Sequence, residues 1–196
     1  EVWLFDNPYG WTIINTTTAS NGFAILDSYY YNSGYTQNAD LITPSLDFSD
    51  YTSVNLYFEH YLPSITSSPP WTAYGNLYYS INNGASWVLL QSWYNALNPT
   101  IYNQNLSTQV AGQSKVRFKW NFTGYGYFWV IDDISITGTG PNTWTGATSS
   151  SWTTASNWGT GTVPTSSSKV IIPDTAPNWP AFTGDFSLGN QCDKLS

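Results

Sequence analysis

Residues 129–137, Trp-Val-Ile-Asp-Asp-Ile-Ser-Ile-Thr, constrain the fold of this chain more than any other stretch. They alternate at a period of two. Val130, Asp132, Ile134 and Ile136 share one face, and Trp129, Ile131, Asp133 and Ser135 share the other. That pattern predicts the closing strand of a β-sandwich, with two carboxylates in its middle. The first face is apolar except for Asp132, so a carboxylate stands where a hydrophobe is expected. A carboxylate drawn inward must be paired, hydrogen-bonded or bound to a cation. Asp133 points the other way, and the two act side by side only if a bulge re-aims one of them. The arrangement favours a structural or metal role over an acid/base couple.

The remainder of the chain agrees with an all-β fold. Aromatics make up 18% and charged residues only 9%, against roughly 25% charged in an average soluble protein. No window carries the i, i+3, i+4 apolar spacing of a long helix, and Tyr, Trp and Thr suit strands. At 196 residues the chain holds one full sandwich and part of a second unit. No run approaches the roughly 20 apolar residues of a membrane span, so no membrane insertion is expected, and no signal peptide is read. The opening on Glu1 and the lack of Met read as a mature or excised fragment. A net charge of −7, from 12 acidic and 5 basic residues, argues against a nucleic-acid partner. Lys115, Arg117 and Lys119 alternate with Val116, Phe118 and Trp120, which predicts the solvated face of one strand. The single cysteine, Cys192, excludes an intrachain disulfide framework and a Cys-rich zinc site.

Strands are expected at Val2–Phe5, Trp11–Ile14, Gly22–Leu26, Ser53–Tyr61, Asn76–Ile81, Ser86–Leu90 and Lys115–Phe122, with Asp40–Asp47 extended. Asn82–Asn83–Gly84–Ala85 between two β-rich runs is a hairpin mark. About eight or nine strands before Gly138 suffice for two packed antiparallel sheets, a jelly-roll sandwich over residues 1–138. Residues 139–143 read as a linker. Residues 144–196 read as the start of a second, Trp-rich β unit cut short, with too few aliphatic groups for a large core.

Calcium is the first ligand to consider, because it takes six to eight oxygen ligands and the chain is rich in carboxylates and amides. The first and last strands of a jelly roll are neighbours, which points to Asp6, Asn7, Asp132 and Asp133 as a structural Ca²⁺ site. Asp40, Asp47 and Asp50 are weaker candidates, Asp47 suiting a turn cap. Catalysis finds little support. His60 and Glu59 are adjacent on one strand and face opposite ways, and Cys192 lies in a different unit from His60. Ser80-x-Asn82-x-Gly84-x-Ser86-Trp87 is similar to the Asp-box of sialidases, but one degenerate copy does not make a propeller. The binding candidates are aromatic: Trp71, Trp93, Tyr94, Tyr29, Tyr30 and Tyr31, in loops or near strand ends, where flat rings offer sugars a stacking surface.

One ordered set of motifs points to a family. Phe5–Asp6 with Gly10–Trp11, Leu41–Pro44 with Leu46–Ser49, Val54–Leu56–Phe58, Ser80–Trp87, Val116–Phe118 and Trp129–Ile134 resemble the jelly-roll modules of bacterial adhesins. These modules are MAM-like and of the gingipain adhesin type. The segment with Trp144–Gly146, Trp152, Trp158, Val163–Pro164 and Val170–Pro173 resembles a Trp-rich repeat of large Bacteroidetes adhesins exported by type IX secretion. The resemblance implies an extracellular or cell-surface, non-catalytic, calcium-binding module. Its expected partners are glycans, proteins of host or neighbouring cells, or other copies of the same chain. Two other roles fit the same residues: a spacer or polymerising repeat of a surface filament, and an accessory binding domain of a secreted polysaccharide-degrading enzyme.

Overall fold

The computed structural model describes residues 1–31, 35–63, 73–125, 127–166 and 168–181, with the backbone of 194–195. The first of two units comprises Glu1–Ser49 and Ser53–Gly138, the second Asp50–Thr52 and Thr139–Ser196. Eight strands build the first: β1 (Ala24–Asp27), β2 (Gln37–Ile42), β3 (Ser53–Leu62), β4 (Ala73–Ser80), β5 (Val88–Trp93), β6 (Ala96–Asn105), β7 (Arg117–Gly124) and β8 (Phe128–Thr139). They form two four-stranded antiparallel sheets, ordered β1-β8-β3-β6 and β2-β7-β4-β5. Apart from the β4–β5 hairpin, successive strands alternate between the two sheets, the jelly-roll wrapping expected from the sequence.

Alternation within each strand decides what the sheets hold between them. In β7, Phe118, Trp120 and Phe122 are buried while Arg117, Lys119 and Asn121 are not. In β3, Leu56, Phe58 and His60 turn inward, and the Phe58 ring meets Trp120 of the other sheet edge-on at 5.4 Å. Trp129 of β8 reaches across towards Gly75 of β4, whose missing side chain makes room. A Cβ there would stand 2.8 Å from the indole. Fully burying one such ring contributes roughly 1.5–3 kcal/mol.

The face carrying Asp132 differs from the sequence expectation. Trp129 and Ile131 are the inward residues of β8. Phe128, Val130 and Asp132 lie on the outer face of their sheet. That face is apolar because the N-terminal segment covers it: Leu4, Trp11, Ile14 and Phe23 pack over Ile25, Phe128 and Val130. Val2–Phe5 contributes only an isolated bridge, Leu4 to Ile25, and Trp11–Ile14 forms no strand. β6 was not evident from its Asn-, Pro- and Thr-rich sequence. It is an edge strand, paired with β3 on one side only, where weak alternation is tolerated.

Residues 139–143 belong to the second unit. Thr139 accepts a hydrogen bond from Thr52, and β9 (Asn142–Thr143) pairs in parallel with β10 (Lys169–Ile171), which also pairs with β11 (Lys194–Leu195). The second unit does bury a core, supplied by aromatic rather than aliphatic residues. Trp144, Trp152 and Trp158 pack with Val170 and Ala176, their ring centroids 4.6–6.3 Å apart. The buried amide of Asn157 ties the loop around them, accepting from Thr148 N (2.9 Å) and Ser149 N (3.0 Å) and donating to Ser151 O (3.0 Å).

Candidate functional site

At the end of the sandwich where β1 leaves and β8 enters, three separate segments bring aromatic rings together. Tyr9 stacks on Trp11 (5.1 Å, 28°), and Tyr29 stacks on Tyr127 (5.3 Å, 9°). Trp11 meets Tyr29 and Tyr127 edge-on at 5.7 and 5.8 Å. Beneath them, fully buried Asp27 accepts from Trp11 Nε1 (2.8 Å), Tyr29 N (3.0 Å) and Tyr30 N (3.2 Å). One carboxylate thereby fixes the indole and the turn that carries the tyrosines. Burial, and the neighbouring Tyr127 and Tyr9, push the Tyr29 phenol above its ordinary range, so it stays a neutral donor. Tyr9, Tyr30 and Tyr29 remain 56%, 55% and 38% exposed. This is a rigid platform with open ring surface.

Of the other aromatic candidates, Tyr31 is structural: its hydroxyl donates to Val2 O (2.9 Å) and accepts from Val2 N (3.3 Å). Trp93 is half-buried. It ends β5 turned inward, against His60 (4.6 Å), Tyr102 (5.7 Å) and Trp129 (6.2 Å). Tyr94 stands in the bend after it, 69% exposed. Trp71 lies outside the described residues.

The carboxylates form a second cluster, on the outer face of the β1-β8-β3-β6 sheet. Asp133 has a left-handed backbone (φ 51°), a conformation that Asp tolerates better than most residues. The turn brings its side chain beside Asp132. Thr16 Oγ1 donates to Asp132 Oδ2 (2.7 Å) and Thr18 Oγ1 to Asp133 Oδ1 (2.7 Å). Asp133 N closes onto Asp132 Oδ1 (2.8 Å). Glu59, from the neighbouring strand, accepts from Thr17 N (2.7 Å), Thr17 Oγ1 (2.6 Å) and Tyr57 Oη (3.1 Å). Burial works to raise the Glu59 carboxyl, but its hydrogen bonds to Thr17 and Tyr57 outweigh burial and hold it below the usual range. Three consecutive threonines thus clasp the N-terminal segment to the sheet.

Of the four residues that suggested a calcium site, the structure brings Asp132 and Asp133 together under the threonines. Both polar atoms of the Asn7 amide are engaged by the backbone of Trp11, at 2.8 and 2.9 Å. Asp132 and Asp133 accept hydrogen bonds from the threonines. Among the described residues, no three His, Cys, Asp or Glu side chains gather in a way that would hold a metal ion. Asp47 caps its turn, accepting from Ser49 N (2.9 Å), and that hydrogen bond lowers its carboxyl. Asp132 and Asp133 also border a cleft of about 490 Å³ with Phe5, Phe23, Ile42 and Ile134, which is mainly apolar.

Glu59 and His60 do face opposite sides of β3. Burial drives the His60 imidazole down to about 4, so it is neutral at physiological pH. Its Nδ1 accepts from Trp129 Nε1 (3.3 Å). Tyr9, Trp11, Tyr127 and the threonine clasp escaped the sequence reading. Their only sequence signal is exposed-looking aromatics and hydroxyls in turns, which nothing local ties to residues far along the chain.

No protein-family model and no curated protein matches the sequence. Among solved structures, the chain is similar to the enzymatically active domain of tailspike protein 4 of bacteriophage CBA120. That match has 11% identity over 70% of this chain and 18% of the tailspike chain, with a TM-score of 0.42. It is also similar to CBM27-1 of Caldicellulosiruptor saccharolyticus, solved in complex with mannohexaose, at 15% identity over 67% of this chain and 87% of that one, TM-score 0.39. This chain spans less than a fifth of the tailspike chain. The functional reading rests on the residues of this chain.

Proposed function

We propose that this chain is a non-catalytic, glycan-binding β-sandwich module of a secreted or cell-surface adhesin. The observation that carries the reading is the platform of Tyr9, Trp11 and Tyr29 on Asp27, with exposed Tyr30 beside it in the turn that Asp27 holds, its ring edge-on to Tyr31. Sugars present apolar C–H faces and hydroxyl edges together, and a tyrosine offers a ring face and a hydroxyl in the same way. The rings are held before any ligand arrives, so binding forfeits little side-chain entropy. The non-catalytic reading is supported by the engagement of Glu59, Asp132 and Asp133 in the threonine clasp and by the burial of His60 in the interior.

The test is a glycan-array screen of the wild-type chain beside the double variant Tyr9→Ala/Tyr30→Ala, in calcium and again in EDTA. The wild type is expected to bind a subset of glycans. The double variant is expected to lose at least tenfold in affinity with an unchanged melting temperature. Absence of glycan binding by a folded wild type would turn the reading towards a protein contact or a structural spacer. Loss of binding in EDTA would return calcium to the account through residues other than the clasped carboxylates.

A further inference from the structure

We infer that the outer face of the β2-β7-β4-β5 sheet is a second glycan-binding surface, shaped for a neutral, hydroxyl-rich chain. The inference rests on the glycan-binding reading above but uses a different part of the molecule. Four residues from four strands stand in one cross-strand rung, because Ser92 pairs with Asn76, Asn76 with Asn121 and Asn121 with Asp40. Their side chains are joined end to end. Ser92 Oγ donates to Asn76 Oδ1 (2.7 Å), Asn76 Nδ2 to Asn121 Oδ1 (3.3 Å), and Asn121 Nδ2 to both Asp40 Oδ1 (2.7 Å) and Asn38 Oδ1 (2.8 Å). The rung crosses three inter-strand gaps of about 4.8 Å each, about 14 Å in all, the length of a short oligosaccharide.

The chemistry of the rung names its ligand. Asn121 spends both its N–H groups on Asn38 and Asp40, which draws their heads together at the exposed end. The Asn38 amide N–H groups have no protein partner among the described residues, and the Asp40 carboxylate keeps unused lone pairs. A donor beside an acceptor is what two neighbouring sugar hydroxyls require. Aromatic rings flank the rung on β4, two residues to either side of Asn76. Tyr74 is 44% exposed, and Tyr78 shares Lys119 with Trp87.

Charge argues for a neutral chain. Lys119 Nζ lies 3.4 Å from Asp40 Oδ2 and 4.9 and 4.6 Å from the Tyr78 and Trp87 ring centroids, so it is consumed within the surface. Arg117 Nε donates to Asn83 Oδ1 (2.8 Å) in the adjacent hairpin. Arg117 and Lys119 thus brace this face, while Lys115, the third of the alternating cations, is exposed as the sequence suggested.

Affinity gel electrophoresis of the full chain tests the inference, with galactomannan, xyloglucan, mixed-linkage glucan and polygalacturonate as probes. The variants are Tyr74→Ala and Asn38→Ala/Asp40→Ala on the face, and Tyr9→Ala/Tyr30→Ala at the loop end. All substitute exposed side chains, and each is checked by melting temperature. The loop-end variant is expected to retain measurable retardation in a neutral polysaccharide. Adding the face substitutions is expected to remove it, at least a tenfold further loss. Wild-type retardation in the face variants, complete loss from the loop-end variant alone, or retardation by polygalacturonate only would each overturn the second surface and leave the glycan reading standing. No retardation of the wild type by any probe would remove the glycan reading itself.

Discussion

The first unit holds two aromatic clusters of similar size and opposite use. The interior cluster, Phe58, His60, Trp120 and Trp129 with half-buried Trp93 at its margin, links the two sheets, and Gly75 is hollowed out to admit Trp129. The loop-end cluster, Tyr9, Trp11, Tyr29 and Tyr127, is fixed from below by a buried carboxylate and leaves ring surface open above, with Tyr30 exposed in the same turn. The residue types alone do not separate them. What separates them is where the order comes from: packing on all sides in one, hydrogen bonds on one side only in the other. The first stores stability, and the second stores binding surface.

Substitutions should therefore divide cleanly between folding and binding. The largest stability effect is expected from Trp129→Ala, which removes the ring spanning the sheets and strands the His60 Nδ1 acceptor. A loss of about 3–5 kcal/mol is expected in urea unfolding. Tyr30→Ala should stay within about 0.5 kcal/mol of wild type. Comparable losses in the two variants would erase the distinction.

The second effect is pH-dependent. The unfolded-state pKa of His60 is 6.5 and its folded one is pushed down to about 4, so the unfolded chain binds the extra proton. The stabilising contribution is complete above 6.5 and is lost as pH falls towards 4, by roughly 3 kcal/mol in all. Urea midpoints measured from pH 7 to 4 should show this slope, and His60→Leu should flatten it. Glu59, held below its usual range, adds a later loss, because its contribution is present above about 4.5 and goes as pH falls through its lower folded value. An unchanged slope in His60→Leu would place the acid sensitivity elsewhere.

The threonine clasp should give a smaller effect. Thr16→Val deletes the hydroxyl that donates to buried Asp132 and is expected to cost about 1–3 kcal/mol. Limited proteolysis should cut the N-terminal segment of that variant faster than the wild type. Equal cutting would mean that the apolar cover over Phe128 and Val130 suffices without the hydrogen bond.

Much of this fold was legible in the sequence because period-two alternation reports directly on a strand between core and solvent. β3, β7, β8 and the β4–β5 hairpin declare themselves in that way. β6 did not, because an edge strand can do without regular alternation. The partner of the apolar Asp132 face was also hidden. Sequence shows that a face is covered, but only the fold shows that residues 4–23 cover it. The Asp132–Asp133 pairing turned on a single backbone angle at Asp133. The Ser92–Asn76–Asn121–Asp40 rung depends on register between strands far apart in the chain, which local pattern does not encode. Trp93 read as a surface ring because it closes a strand, yet its register opposite Gly75, which faces Trp129, turns its ring towards Trp129 and His60.

The most direct test of the central claim is isothermal titration of the wild-type chain and of Tyr9→Ala/Tyr30→Ala with the best glycan from the array. Binding by the wild type and at least a tenfold weaker affinity in the variant, at equal melting temperature, is the expected result. Equal affinity in the two proteins would contradict the assignment of the loop-end aromatics as a binding surface.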